Sequence, residues 1–196
     1  FAQKELAPGA LERAHSPHYP WEIAQKISAQ GLLGIAFEEK DGGMGGTLMD
    51  AVIAIQEVAL HCPKSADVVQ AGNFGAIRTF VEYASEAQKE KYLPDLLAGK
   101  KILGLGMSEP GAGSAVTELQ TSAKKVDGGY LINGSKVFST HSPEAGVFLI
   151  YLRFGPGLDG IGSVLVERGA DGLTIGQPNS FMSGEEWSQL YFEDCF

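Results

Sequence analysis

The chain has 196 residues, of which 44% are apolar and 20% are charged, and 24 acidic against 15 basic side chains give a formal net charge of −9. This composition is sufficient for one or two hydrophobic cores, so it excludes a disordered chain, and the acidic charge disfavours nucleic acid and anionic membranes as partners. The two cysteines, Cys62 and Cys195, are too far apart for a metal-binding knuckle or a disulfide framework, and they predict a reducing compartment.

Helices are predicted along the first hundred residues. Thr47 with Asp50 has the spacing of a capping box, in which each side chain accepts a hydrogen bond from the other residue's backbone N–H group. Ser85 with Gln88 has the same spacing. The helix after Thr47 has apolar residues around more than one face, so we expect it to be largely buried. These apolar residues are Leu48, Met49, Val52, Ile53, Ile55, Ala59 and Leu60.

Strands are predicted after residue 100, where the apolar pattern changes to a period of two. The clearest of them are residues 147–154, 161–167, 173–175 and 189–193. The pair Asn133-Gly134 lies inside an alternating run and favours the tight two-residue turn of a β-hairpin. Because the helices precede the strands without alternating with them, we expect an α+β fold. Its N-terminal all-helical domain, residues 1–100, is followed by a β-sandwich or barrel-like middle domain, residues 101–196.

Several motifs of catalytic and metal sites are incomplete or absent in the sequence. Gly129 and Gly134 have the spacing of a phosphate-binding P-loop, but the Ser-Lys pair that follows reverses the order that the motif requires. There is no Gly-x-Ser-x-Gly sequence, which excludes the nucleophile turn of the α/β-hydrolases. His15 and His18 have no third ligand nearby, so we predict no metal site. No apolar run approaches the about 20 residues of a membrane span.

A loop of small and polar residues begins the β domain. Residues 105–114 read Leu-Gly-Met-Ser-Glu-Pro-Gly-Ala-Gly-Ser and follow two apolar residues, Ile102 and Leu103. Such a loop offers unpaired backbone N–H groups, two hydroxyls and little steric bulk, which are the properties needed to bind a planar hydrogen-bonding ligand or a phosphate. An ordinary turn rich in glycine and proline explains the same residues equally well.

The same loop resembles the flavin-binding signature of the acyl-CoA dehydrogenase family, in which Thr-Glu-Pro is followed by Ala-Gly-Ser-Asp. Other parts of the chain resemble the family's glycine-rich loop, the helix before its β domain, its Asn-Gly hairpin and its Phe-x-Asp strand, in the family's order. These parts are residues 36–45, 88–99, 131–140 and 191–194. The resemblance therefore covers nearly the whole chain, and it implies the family's helical and β domains with FAD as the cofactor.

The resemblance implies a set of cofactor-binding residues. These are Leu105, Gly106, Met107, Ser108, Gly113, Ser114, Phe138, Ser139 and Thr140. Within this set, Ser108 is expected to reach the pyrimidine edge of the flavin, Thr140 to donate a hydrogen bond toward flavin N5, and Ser114 to contact the CoA part of the substrate. Leu105 stands where the family commonly has an aromatic residue, and Phe138 stands where it commonly has tryptophan.

The resemblance also implies an activity. In the family, a glutamate removes the α-proton of an acyl-CoA thioester while a hydride passes from the β-carbon to flavin N5. The product is a 2-enoyl-CoA, and an electron-transfer flavoprotein accepts the electrons. That glutamate and much of the subunit interface belong to a C-terminal four-helix bundle, which this sequence lacks. We therefore expect a fragment and nominate no catalytic residue. The whole protein is expected to be a homo-oligomer, a tetramer or dimer, in the cytoplasm or, in a eukaryote, in the mitochondrial matrix.

Two alternatives remain open for the function. An acyl-CoA oxidase or a flavin monooxygenase has the same fold, but its reduced flavin reacts with oxygen. A non-catalytic partner subunit of a hetero-oligomer keeps the fold but has lost the base or the flavin. The sequence departs from the family's pattern at Ala115, where aspartate is usual, and at residues 183–187, which replace a more basic stretch. These departures leave acyl specificity open more than flavin binding.

Overall fold

The computed structural model describes residues 1–182 and 184–196. Ser183, the first residue of the stretch 183–187 that differs from the family's pattern, lies outside the described residues. The chain divides into two units, Phe1–Ile102 and Leu103–Phe196. Helices dominate the first unit and strands dominate the second, which confirms the α+β fold class. In the described part of the chain, no helix is both long enough and apolar enough to cross a membrane.

The helical unit begins with a π-helical turn at Ala2–Leu6. Its α-helices are α1 (Ala10–Ala14), α2 (Trp21–Ser28), α3 (Leu48–Ala59), α4 (Pro63–Ala71), α5 (Ala76–Tyr83) and α6 (Glu86–Leu97). Both predicted capping boxes are confirmed, with Thr47 at the start of α3 and Ser85 at the start of α6. A buried core cluster joins α2, α3 and α4 through side chains that include Ile27, Val58 and Val68.

Helix α3 is more exposed than the sequence predicts. Ala51 and Val58 are its buried residues, whereas Met49 is 64% and Ile53 is 51% exposed. The helix packs against α4 and the N-terminal turn along one face, so an apolar stripe wider than that face extends into solvent. The expectation that α3 is largely buried was therefore wrong for this chain.

The β unit is one curled mixed sheet. Its strands are β1 (Leu103–Gly106), β2 (Ser122–Val126), β3 (Gly129–Thr140), β4 (Val147–Arg153), β5 (Ile161–Glu167), β6 (Leu173–Ile175), β7 (Asn179–Ser180) and β8 (Glu186–Cys195). The strand order is β1-β4-β2-β3-β8-β6, with β5 also paired to β4 and β7 also paired to β8. Strands β1 and β4 are parallel, whereas β3 is antiparallel to both β2 and β8. Phe148, Ile150 and Leu190 are fully buried in the core of this unit.

The predicted hairpin turn at Asn133-Gly134 is wrong, because β3 continues through both residues. The turn between β2 and β3 lies at residues 127–128, where Gly128 has a φ of 84°. Asn133 instead faces a bulge in β8, where Asp194 has a φ of 46°. The Asn133 side chain donates to Asp194 Oδ1 at 2.9 Å and accepts from the Asp194 backbone N–H at 3.0 Å. The hydrogen bonds between Asn133 and Asp194 therefore hold β3 and β8 in register.

Gly134 has a backbone conformation and surroundings that exclude a side chain. Its φ is 140°, and a Cβ added there would lie 2.5 Å from Thr121 Oγ1. We expect Gly134→Ala to lower the free energy of unfolding by about 1–3 kcal/mol or more, as measured by urea denaturation. Gly155→Ala is the matched control, since a Cβ there would meet no atom within 4 Å. The control is expected to change stability by less than about 0.5 kcal/mol. Equal stability of both variants would contradict this account.

Candidate functional site

The residues predicted to bind a cofactor lie on two segments that the structure brings together. Leu105 and Gly106 end β1, residues 107–114 form the loop after it, and Phe138, Ser139 and Thr140 end β3. Hydrogen bonds from β3 join it to β1 and to the loop: the Val137 N–H donates to the Ser108 carbonyl at 2.9 Å, and Ser139 Oγ donates to the Leu105 carbonyl at 2.8 Å. The loop and the strand end therefore form one surface within the β unit.

A bulge near Phe138 decides which side chains of β3 face outward. Lys136 pairs with Leu190 of β8 and Ser139 pairs with Ser188, so β3 has one residue more than β8 between these pairs. Phe138 lies at this bulge and has a φ of 54°. This left-handed conformation costs a non-glycine residue of order 1–3 kcal/mol. Its ring is 57% exposed while Ser139 is fully buried. The bulge thus turns Phe138 and Thr140 to one face and Ser139 to the other.

A buried ion pair lies behind the loop and connects it to β3. Lys136 Nζ lies 2.7 Å from Glu109 Oε1, and the two side chains are 0% and 6% exposed. Glu109 also accepts hydrogen bonds from the backbone N–H groups of Thr121 at 2.9 Å and Gln120 at 2.6 Å. Lys136 Nζ donates as well to the Met107 carbonyl at 3.1 Å. These contacts fix the loop backbone on both sides of Ser108.

The environment of Glu109 determines its charge. Burial by itself would raise the pKa of the Glu109 carboxyl, but hydrogen bonds from Lys136, Thr121 and Gln120 outweigh burial and hold this pKa below its usual value. The side chain is therefore an ionised acceptor at neutral pH, with its oxygens committed to partners within the β unit. Such a carboxylate holds structure and is poorly suited to take a proton from a substrate.

The ion pair was not identified from the sequence. Glu109 and Lys136 lie in different segments, and no periodic pattern relates them. The sequence contains only an indirect signal: a glutamate and a lysine each occur in a segment that resembles the family, and the lysine lies in an alternating strand pattern. A charged residue at an inward position of a strand predicts a buried partner of opposite charge.

The outward surface of the site carries hydroxyl groups without protein partners. In residues 1–182 and 184–196, the hydroxyls of Ser108, Ser114 and Thr140 make no hydrogen bond. Ser108 and Thr140 are half-buried and Ser114 is exposed. A Cβ added at Gly113 would meet no atom within 4 Å, so the loop backbone is open to close approach there. This surface can donate to and accept from a ligand at several points.

The structure gives no support for a metal at this surface or elsewhere among the described residues. No group of three His, Cys, Asp or Glu side chains converges on a common point in residues 1–182 and 184–196. The polar groups at the site are hydroxyls and backbone amides, which suit an organic ligand better than a divalent cation.

Comparisons with known proteins agree with the two units. Residues 1–100 match the family model "Acyl-CoA dehydrogenase, N-terminal domain", and residues 104–195 match "Acyl-CoA dehydrogenase, middle domain". The chain is 35% identical to mitochondrial isovaleryl-CoA dehydrogenase of Oryza sativa subsp. japonica, over 100% of the chain and 49% of that protein. It therefore spans about half the length of the curated relatives that it matches.

Solved structures give the same result. Butyryl-CoA dehydrogenase from Megasphaera elsdenii superposes with a TM-score of 0.85 and 32% identity, over 99% of this chain and 53% of that one. The FAD complex of PigA superposes with a TM-score of 0.92 and 29% identity, over 100% of this chain and 53% of that one. The fold of both units is thus shared with a butyryl-CoA dehydrogenase and with a protein that was solved in complex with FAD.

Breaking the buried ion pair is expected to destabilise the β unit strongly. Lys136→Met leaves the Glu109 carboxylate buried without a counter-charge, which should lower the free energy of unfolding by about 3–5 kcal/mol in urea denaturation. The double variant Glu109→Gln with Lys136→Met buries no charge and should recover part of this loss. Lys124→Met, at an exposed position of β2, is the control and should change stability by less than about 0.5 kcal/mol. A similarly small loss in Lys136→Met would show that the pair is not important for stability.

Proposed function

Because the chain belongs to the acyl-CoA dehydrogenase family, we propose that the surface formed by the loop after β1 and the end of β3 binds FAD. We also propose that the whole protein oxidises an acyl-CoA thioester to a 2-enoyl-CoA. The observation that carries the proposal is the combination of free hydroxyls at Ser108, Ser114 and Thr140 with the exposed ring of Phe138, on two segments that are hydrogen-bonded to each other. A flavin needs this combination, since its ring has apolar faces and hydrogen-bonding edges.

The residues present fit such a ring in their chemistry. Phe138 offers an apolar face, Ser108 and Thr140 offer hydroxyls beside it, and the open backbone at Gly113 allows a ligand to approach closely. In the proposed arrangement, Ser108 bonds the pyrimidine edge, Thr140 donates toward N5, and Ser114 contacts the CoA part of the substrate. Leu105, Gly106 and Met107 supply backbone contacts.

Ser139 has a different part in the proposed site from the other hydroxyl residues. Its side chain is fully buried, and Ser139 Oγ donates to the Leu105 carbonyl. The hydroxyl is therefore committed to joining β3 to β1, and any contact of this residue with the cofactor is through its backbone.

Bound FAD would supply the acceptor for the hydride. The Thr140 hydroxyl would donate a hydrogen bond where negative charge develops, and a donor placed in advance is more effective than water, which must reorient. The Phe138 ring and its neighbours would exclude water from that position. The Glu109 carboxylate is committed to Lys136 and is therefore not the base that removes the α-proton. We propose that this base is the glutamate that the family carries in its C-terminal helical bundle.

The partners and the setting belong to the same proposal. We propose an electron-transfer flavoprotein as the electron acceptor and a homo-oligomer, a dimer or tetramer, as the assembly. The cytoplasm, or the mitochondrial matrix in a eukaryote, is the proposed location. The alternatives, an oxidase or monooxygenase and a non-catalytic partner subunit, differ from the proposal in what happens to the flavin.

The cofactor proposal is tested with the full-length protein. It should purify with FAD that is released by denaturation, and the flavin should bleach when isovaleryl-CoA or butyryl-CoA is added without oxygen. Slow reoxidation in air, with fast reoxidation by an electron-transfer flavoprotein, is expected for a dehydrogenase, whereas fast reoxidation in air indicates an oxidase. Colourless protein that cannot be reconstituted with FAD would favour the non-catalytic subunit.

The role of Thr140 is tested by the rate of flavin reduction. Thr140→Ala removes one donor at the reacting edge, so anaerobic stopped-flow reduction by the same thioesters should be about 10²–10³ slower. The Kd for FAD should rise by no more than about tenfold, because one hydrogen bond is lost in binding. Thr140→Ser is the matched control, since it keeps the hydroxyl, and should retain most of the rate. An unchanged rate in Thr140→Ala would assign the N5 contact to another residue.

A further inference from the structure

A second aromatic side chain lies on the same face as Thr140. Trp187, near the start of β8, is paired in register with Thr140 of β3. Residues directly opposite each other in an antiparallel pair point to the same face of the sheet. The indole of Trp187 and the hydroxyl of Thr140 are therefore neighbours on the outward face of the candidate site.

Trp187 packs against Phe138 and not into the core. The ring centroids of Phe138 and Trp187 are 4.7 Å apart with an interplanar angle of 56°, and the centroids of Phe181 and Trp187 are 6.1 Å apart. Trp187 is half-buried, and its Nε1–H has no hydrogen-bond partner in the described part of the chain. We call Phe138 and Trp187 the aromatic wall.

The position of the wall is set by two separate features of the strand pair. The bulge gives Phe138 a positive φ and leaves its ring largely exposed. On the C-terminal side of Thr140, the His141 backbone N–H donates to the Glu186 carbonyl at 2.8 Å, which fixes the residue before Trp187. A strained backbone that presents an apolar ring to solvent indicates a function at that position, since a strand without the bulge would avoid both costs.

We propose that Trp187 is a further cofactor-contacting residue, which together with Phe138 forms an aromatic wall against the flavin ring. This inference rests on the proposed FAD site. Aromatic rings prefer offset or tilted contacts with other ring systems, and Phe138 and Trp187 already have a tilted arrangement. The wall is continuous with Thr140, so a ring that accepts a hydrogen bond from Thr140 would lie within reach of the indole. Phe181 also contacts the indole of Trp187.

The proposal is tested on the full-length protein loaded with FAD, through the fluorescence of the bound flavin. An indole in contact with a flavin quenches the excited flavin by electron transfer, whereas a phenyl ring is a much poorer donor. Trp187→Phe should therefore brighten the bound flavin while keeping an apolar ring in place. Trp21→Phe is the matched control, because Trp21 lies in α2 of the helical unit and packs against Tyr19. The control should leave the brightness unchanged.

A second variant measures the contribution of the contact to binding. Trp187→Ala should raise the Kd for FAD by about 2- to 10-fold, the range expected for loss of one aromatic contact. If this variant does not fold, Trp187→Phe alone decides. Bound flavin that is equally dim in the wild type and in Trp187→Phe would overturn the inference and leave the FAD site intact. Wild-type protein that binds no FAD would overturn the proposed function and the inference with it.

Discussion

The ion pair between Glu109 and Lys136 is the interaction on which the candidate site depends. Removing two charges from water is expensive, and the expense is offset only when each charge has close partners. Here the Glu109 carboxylate accepts hydrogen bonds from Lys136 and from two backbone N–H groups, and the Lys136 ammonium also donates to the Met107 carbonyl. The loop after β1 has no regular secondary structure of its own around Ser108, so its shape depends on this buried charge cluster together with the hydrogen bond from the Val137 N–H to the Ser108 carbonyl.

Two bulges in the β3–β8 pair determine which residues face outward. Side chains alternate along a strand, so one extra residue exchanges the two faces beyond it. The bulge in β8 at Asp194 and the bulge in β3 at Phe138 lie on opposite strands, and each contains a non-glycine residue with positive φ. Between them, Lys136 points inward to Glu109. Beyond the second bulge, Ser139 points inward and Thr140 points outward beside Trp187.

The sequence predicted best those features that depend on a few neighbouring residues. Both capping boxes are complete within four positions, and the order of helices and strands follows from the local period of apolar residues. The prediction of a turn at Asn133-Gly134 failed because the same pair also suits a strand that faces a bulge, and the choice depends on Asp194 in the bulged strand β8. The prediction that helix α3 is largely buried failed for a related reason. An apolar stripe shows which surface of a helix is able to be buried, but not how much of that surface a neighbouring element covers. The partner of Lys136 and the position of Trp187 likewise require the sheet register.

The free hydroxyls of the site have a consequence for hydration. In the absence of a ligand, Ser108, Ser114 and Thr140 satisfy their hydrogen bonds with water, and a ligand that bonds to them only exchanges one set of bonds for another. The net gain for each such exchange is about 0.5–1.5 kcal/mol, and the loss is larger when a ligand covers a hydroxyl without bonding to it. Water around the exposed Phe138 ring, by contrast, is released when an apolar surface covers that ring. In the proposed site, the hydroxyls would therefore select which ligand binds, and covering the Phe138 ring would add a favourable contribution that does not depend on hydrogen bonding.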